Sequence, residues 1–453
     1  MMKANGSREE SPSMIHLANV LIATADTALA EDLSAKLRRN FYHGQIAGTG
    51  AQALAEAREH HPDIVLIGPL LEDMEPAELL SRLASDPQTE DIPTFLMVPD
   101  EKAGAVAQRA LAAGADDLLR LPGEEAELLA RLYPLLRLAT MHGELRLRAE
   151  LAERFGVSAG RRVDGQDKGG KARLLLVGEG VGDLAFPEGY AEITTTANLY
   201  EAEDLVARQN FDAALLVAGG RTEAHLDLCS QIRHNPRLFN LPVLLILDGP
   251  AKADVAEAYR RGATRVMPRP LDMALLHGAI EMLVRRQRLR WRIREALMQT
   301  LTPHSSDAQT GVYSRAFLES YLAARLEKAK TQNRPLSVLY FYIPNVDGVR
   351  TQFGEDAAGH LLQQLAQWIS SLLRAEDLTA HYQGNEFCVV LPDTPREEAE
   401  VVMHRIAGIL AYTDFAVRDV FQPVKVWVQA GCADLRAEDD PAALIGRARL
   451  NLD

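Results

Sequence analysis

The chain reads as two doubly wound parallel α/β domains followed by an α+β domain. Three observations predict this. Short, wholly apolar runs alternate with helix-patterned segments through the first two thirds of the sequence. That layout occurs twice, at an offset of about 150 residues. From about residue 305 the pattern changes to long helices around a hairpin. Apolar runs without alternation, bounded by helices, are the mark of strands buried on both faces of a parallel sheet.

The first set opens with Asn19-Val-Leu-Ile-Ala23 and a helix over 28–39. Apolar runs at Asp63–Ile67, Thr94–Val98 and Asp117–Leu119 follow, ending before Pro122. The second set is Arg173–Val177, Asp212–Leu216, Val243–Leu247 and Thr264–Met267, and Arg269-Pro270 parallels Leu121-Pro122. Self-similarity at a fixed period means two copies of one βα domain. The expected organisation is a flexible tail at 1–15, a domain at 16–140, a helix and flexible linker at 141–171, a second domain with connecting helix at 172–300 and a third domain at 301–453. The linker is placed at Ser158–Gly170 for its glycines and charges. The connecting helix carries Ile280, Leu283, Leu289, Trp291, Ile293 and Leu297 among Arg285, Arg286, Arg288, Arg290, Arg292 and Arg294. It reads as a connector with one solvated face, with an anion-binding role for its arginines as the sharper alternative. The third domain is expected to form helix 315–332, strand 336–343, helix 355–373, a hairpin around 378–391, helix 395–411 and strand 424–431.

Composition narrows the function. Of 453 residues 47% are hydrophobic and 25% charged, which supports packed cores and excludes a mostly disordered chain. A net charge of −14 argues against nucleic acid as a partner. No run is long and apolar enough for a spanning helix, and the N-terminus lacks the apolar stretch of a secretion signal. Cys229, Cys388 and Cys432 have neither paired nor metal-ligand spacing, so neither disulfide nor metal is expected, and a cytoplasmic setting fits. Glu59, His60 and His61 are consecutive and point apart on a helix, which reads as a solvated helix end; His360 and His381 are assigned no catalysis.

Both α/β copies resemble the flavodoxin-like receiver domain of bacterial response regulators, over about 16–140 and 172–285. The resemblance implies an acidic pair after the first strand, a phosphoacceptor aspartate ending the third, a hydroxyl ending the fourth and a lysine before the last proline. Here those positions hold Thr24 and Ala25, Gly68, Val98 and Leu121 in the first copy, and Gly178 and Glu179, Val217, Leu247 and Arg269 in the second. Glycine and valine offer no nucleophile. Asp26, Glu72 and Asp73 lie nearby in sequence but not at a strand end. Both domains therefore read as packing or dimerisation modules outside phosphorelay.

Residues 305–453 resemble the nucleotidyl-cyclase-like GGDEF domain of diguanylate cyclases. Asp307-Ala-Gln-Thr-Gly-Val-Tyr-Ser-Arg315 is close to the family's D-x-L-T-G-L-x-N-R, and the name-giving hairpin reads Gln383-Gly-Asn-Glu-Phe387. The receiver–receiver–GGDEF order is that of the PleD type. Active members join two GTP molecules with metal ions held by carboxylates. This chain places Tyr342 at the first metal aspartate and Asn385 at the third hairpin position. Arg350 and Gly359 stand at the guanine-binding positions, Glu355 where a histidine follows the turn glycine, and Gln383 where a glycine approaches phosphate. It ends at Asp453, before the family's A-K-x-x-G-R-N segment with its phosphate-contacting lysine. The expectation is no enzyme: no catalytic residue and no metal.

The family's product-binding site is R-x-x-D five residues before the hairpin motif, and Arg374-Ala-Glu-Asp377 has that spacing. The same tetrapeptide pattern occurs by chance at Arg161, Arg269 and Arg436, so position gives it weight. Arg405 stands at the secondary contact on the following helix. A guanidinium fork can bond guanine O6 and N7 or phosphate oxygens, and a carboxylate can accept from guanine N1 and N2 hydrogens. Arg374, Asp377 and Arg405 are therefore the expected ligand contacts for cyclic di-GMP, with no other cofactor. The competing reading is an ordinary helix-end ion pair between Arg374 and Asp377. The resemblance implies a homodimeric, cytoplasmic effector at a cell pole that controls protein partners in cell-cycle proteolysis through a protease-adaptor pathway. A residual or heterodimer-dependent cyclase and a nucleotide-free scaffold stay open as alternatives.

Overall fold

The computed structural model describes residues 17–100, 103–156, 160, 163, 170–219, 222–235, 238–249, 252–418 and 420–452. The tail at 1–15 and most of the linker at 158–170 lie outside the described residues. The first domain runs β1 (Ala18–Ala23), α1 (Thr27–Arg39), β2 (Tyr42–Ala47), α2 (Gly50–His60), β3 (Ile64–Ile67), α3 (Pro76–Ser85), β4 (Thr94–Pro99), α4 (Ala103–Ala112), β5 (Asp117–Leu121) and α5 (Glu125–Arg154). Its five strands are parallel in the order β2-β1-β3-β4-β5. The second domain runs β6 (Ala172–Gly178), β7 (Ala191–Thr196), α6 (Leu199–Arg208), β8 (Ala213–Ala218), α7 (Thr222–His234), β9 (Val243–Asp248), α8 (Lys252–Arg260), β10 (Arg265–Arg269) and α9 (Met273–Gln299). Its sheet has the same parallel order, β7-β6-β8-β9-β10. Both are the doubly wound architecture that the alternating apolar runs imply.

The third domain runs α10 (Arg315–Thr331), β11 (Leu336–Tyr342), α11 (Val346–Phe353), α12 (Glu355–Ser371), β12 (Leu378–Gln383), β13 (Glu386–Pro392), α13 (Arg396–Tyr412), β14 (Gln429–Asp434) and α14 (Pro441–Leu450). Its antiparallel sheet has the order β12-β13-β11-β14. The last strand begins at Gln429 and not at 424 as the β-branched run suggests. The reason is local: the Asn345 side chain donates to the Lys425 carbonyl at 2.7 Å and accepts from Trp427 N at 3.0 Å. Those backbone groups are thus satisfied without a neighbouring strand.

The first two domains pack face to face through α4 and α5 on one side and α8 and α9 on the other. α4 and α9 approach closely: a Cβ on Gly278 would stand 3.0 Å from that of Ala107. At the centre of the contact Asp117, buried on β5, is paired with Arg131 of α5 and with Arg265 (3.3 Å) and Arg286 (3.7 Å) of the second domain. Burial alone would raise Asp117, but the three guanidinium groups hold it down at about 2. The basic helix therefore has a solvated face only in its C-terminal part, at Trp291, Arg294, Glu295 and Met298, and is enclosed over 275–287. Gln287 and Arg286 of α9 are buried with its apolar residues, because α9 is covered by both parallel-sheet domains.

Helix α5 links all three domains. Its 30 residues make a rod of about 45 Å that runs through the boundary expected at residue 140. It carries apolar side chains on more than one side. Leu138, Met141 and Leu145 pack with Ile293 and Leu297 of α9, and Leu151 enters the core of the third domain. Glu144, buried on α5, accepts from the Tyr321 hydroxyl at 2.7 Å and pairs with Arg325 at 3.3 Å. Arg334 bridges Asp63 of the first domain and Asp393 of the third. His61 joins this junction, lying 3.1 Å from Asp91 and 3.0 Å from Arg146. Its expected place at a solvated helix end is thereby corrected: the left-handed backbone at His61 turns the ring toward α5.

Candidate functional site

The Arg374–Asp377 tetrapeptide is the turn between α12 and β12. Arg374 N donates to Asp377 Oδ2 at 2.8 Å, and Asp377 N donates to the Arg374 carbonyl at 3.2 Å. The carboxylate thus closes the turn on the backbone and leaves the Arg374 guanidinium to reach elsewhere. That guanidinium donates to the Tyr133 hydroxyl at 3.3 Å and lies 3.8 Å from Glu398. The other oxygen, Asp377 Oδ1, is buried and finds no donor among the described residues. Burial first, and then the neighbouring Glu376 charge, raise Asp377 well above the carboxylate range.

Arg374 and Asp377 line one wall of a cleft of about 570 Å³ at the junction of the three domains. Arg290, Trp291 and Arg294 of α9 and Phe239 of the second domain line it as well. Burial, and then the nearby Arg137, lower Arg290 to about 9. A crowd of guanidinium groups with an acceptor oxygen lacking a donor is suited to an anionic ligand that also carries N–H groups. The structure brings Arg374 and Asp377 together in this cleft but leaves Arg405 outside its lining. Arg405 donates to the Leu372 carbonyl at 3.0 Å, close enough to Arg374 for that charge to help lower it, after burial.

The hairpin face is arranged differently. Glu386 is buried, and Arg449 of α14 holds its carboxylate at 2.7 Å with the guanidinium over the Tyr340 ring. Asn385 donates to the Ile343 carbonyl at 2.7 Å. Arg350 is tied to Asp347 and, at 2.8 Å, to Glu355. Where an active cyclase needs carboxylates for metal ions, this face offers Tyr342, an amide turned to the backbone and a single carboxylate with one oxygen held by Arg449 and the other, Oε2, without a donor among the described residues. These residues do not fit a metal pair, and no group of three potential metal ligands occurs among the described residues. His381 joins the N-terminal signature to the hairpin, 3.0 Å from Asp307 and 2.9 Å from the Gly384 carbonyl, so its role is structural. His360 accepts from Arg418 N.

At the strand ends where the resemblance places phosphoryl chemistry, two glycines stand close against their neighbours. A Cβ on Gly68 would stand 2.4 Å from Thr24 Oγ1, and one on Gly178 2.2 Å from the Val217 carbonyl. Asp73 accepts from Gly50 N and Ala51 N at the start of α2, and Asp26 caps α1. Asp26 and Asp73 thus serve helix starts.

Residues 304–453 match the family described as "Diguanylate cyclase, GGDEF domain". The third domain is a GGDEF domain. Over 435 residues, 95% of each chain, the protein is 28% identical to the response regulator PleD of Caulobacter vibrioides. The architecture is that of a PleD-like response regulator, with two parallel-sheet domains ahead of the GGDEF domain. Two solved structures are also similar. One is the GGDEF domain of DgcB from Caulobacter crescentus in complex with c-di-GMP (15% identity, TM-score 0.32, 33% of this chain and 85% of that one). The other is the diguanylate cyclase SiaD with its activator SiaC from Pseudomonas aeruginosa (22% identity, TM-score 0.29, 33% and 59%). No helix among the described residues is long and apolar enough to cross a membrane.

Three features are not legible in the sequence. Arg449 reaches the hairpin carboxylate from within α14. Arg290 and Arg294 were noted as candidates, but only the docking of α9 brings them to the same cleft as Arg374. Glu376 carried no expectation, and it is held across the domain boundary by Arg137 and Arg148 of α5.

Proposed function

We propose that the protein is a non-catalytic effector that binds cyclic di-GMP at the cleft bearing Arg374 and Asp377 and passes occupancy to a protein partner. The observation that carries this is Asp377 Oδ1, buried without a donor in a cleft ringed by Arg374, Arg290 and Arg294. A guanine edge supplies the missing N–H donors, and the arginines supply bidentate contacts to guanine or phosphate. Arg405 is the third contact; it is exposed enough to turn from the Leu372 carbonyl toward a second base. The GGDEF family and the likeness to PleD support a role in cyclic di-GMP signalling. The metal-binding face filled by Tyr342, Asn385 and the Glu386–Arg449 pair supports the absence of cyclase activity.

The partner class rests on likeness to PopA, a catalytically silent protein of the same three-domain order. It suggests a cytoplasmic adaptor at a cell pole that delivers cell-cycle regulators to a protease, acting as a homodimer. Titration calorimetry of the full chain with cyclic di-GMP tests the ligand: saturable heat from the parent and none from Arg374→Ala is expected, and no heat from the parent overturns the reading. Incubation with GTP and Mg²⁺ followed by chromatography tests the enzyme alternative: any cyclic di-GMP formed overturns the non-catalytic assignment.

A further inference from the structure

Glu376, the third residue of the turn, is only 3% exposed. Arg137 of α5 donates to its Oε1 twice, from Nε at 3.0 Å and Nη2 at 2.8 Å. The remaining nitrogen, Nη1, donates to Asn240 Oδ1 of the second domain at 2.9 Å, and the guanidinium lies 5.1 Å from the Phe239 ring centre. One side chain therefore touches all three domains. Three turns further along the same face of α5, Arg148 donates to the Glu376 carbonyl. The residue between the two ligand-facing positions is thus held by its carboxylate and by its backbone, both from α5.

The turn itself transmits that hold. Arg374 and Asp377 are bonded to each other on either side of Glu376, so fixing Glu376 fixes the direction of both. We propose that Arg137 is a positioning residue for the ligand site. By pinning Glu376 against both receiver-like domains it sets the shape of the Arg374–Asp377 turn, so that cyclic di-GMP binds the docked arrangement more tightly than an undocked one. This rests on the ligand assignment above and adds the means by which occupancy reaches the other domains. Linkage makes the effect reciprocal: the ligand strengthens docking by the factor by which docking strengthens binding.

Charge reversal in the full chain tests it. The set is the parent, Arg137→Glu, Glu376→Arg, the double reversal and the conservative Glu376→Gln. Each is titrated with cyclic di-GMP, and hydrogen–deuterium exchange is measured across 374–377 without ligand. Each single reversal is expected to weaken affinity roughly tenfold and to speed exchange at the turn. The double reversal is expected to recover most of both, a rescue that mere loss of packing would not show. If a single reversal fails to fold, Glu376→Gln keeps the shape and is expected to move both readouts the same way by less. Parental affinity and exchange in Arg137→Glu, or a double reversal no better than the sum of its parts, overturns the proposal. A parent that binds no cyclic di-GMP sinks the ligand assignment alone, while the exchange measurement still decides whether Arg137 positions the turn.

Discussion

Glu386 at the hairpin and Asp377 at the turn before β12 are both buried carboxylates of one domain, and each leaves one oxygen without a donor among the described residues. The other oxygen of Glu386 is held by the Arg449 guanidinium of its own domain at 2.7 Å. Asp377 spends one oxygen on a backbone amide, keeps the other without a donor among the described residues, and sits beside a second acid. A buried charge without a partner is costly, and ordinary packing removes such a cost when nothing needs it. The hairpin carboxylate keeps a cationic counter-charge beside its open oxygen, whereas the nearest charge beside Asp377 on the chain is a second acid. The turn keeps an unfavourable arrangement that an incoming N–H donor relieves, which is how binding sites commonly differ from cores.

The largest effect should come from removing the cation on the ligand side. Arg374→Ala is expected to weaken cyclic di-GMP binding by roughly 100-fold or more, measured by calorimetry. A smaller loss would move the main contact to the α9 arginines. The same contrast extends to the first domain, where the strand end at Gly68 is crowded by Thr24. Gly68→Asp forces a side chain onto Thr24. It should lower stability by about 1–3 kcal/mol in a denaturant titration and still take up no phosphoryl group from acetyl phosphate. Uptake would reopen the phosphorelay reading.

On the hairpin side, Arg449→Ala strands Glu386 and should lower stability by about 1–2 kcal/mol; unchanged stability would mean the pair neutralises nothing. The smallest effect has the opposite sign. Burial and then Glu376 raise Asp377 to about 7, so its protonated form favours the folded state. That contribution is lost as pH rises from the ordinary carboxylate range through about 7. Asp377→Asn should therefore stabilise the fold by about 1 kcal/mol at alkaline pH, with the gain vanishing in acid, while binding weakens. Parental cyclic di-GMP affinity should fall as pH drops through the same window, because the carboxylate is the acceptor. A pH-independent affinity would remove Asp377 from the contact.

Much of this was legible in the sequence. The apolar runs name four of the five strands in each parallel sheet because burial on two faces demands them, while the half-exposed edge strands β2 and β7 carry no such run; the place of the Arg374–Asp377 tetrapeptide just ahead of the hairpin was readable from its spacing. The extent of β14 was not, because the Asn345 side chain replaces a strand partner at Lys425 and Trp427. Nor was the burial of α9: an arginine-rich helix looks solvated until Asp117 and the first domain are set against it.

By itself the sequence determined the parallel-sheet character of the first two domains, the change to an α+β pattern in the third and the place of most of their strands, since these follow from residue type and local periodicity. The tertiary structure alone decided that α5 spans three domains and that Arg137 grips Glu376. It also decided that α9 lends arginines to a cleft it does not adjoin in sequence. Those are meetings between segments far apart in the sequence, and no local pattern encodes the partner a buried charge will find.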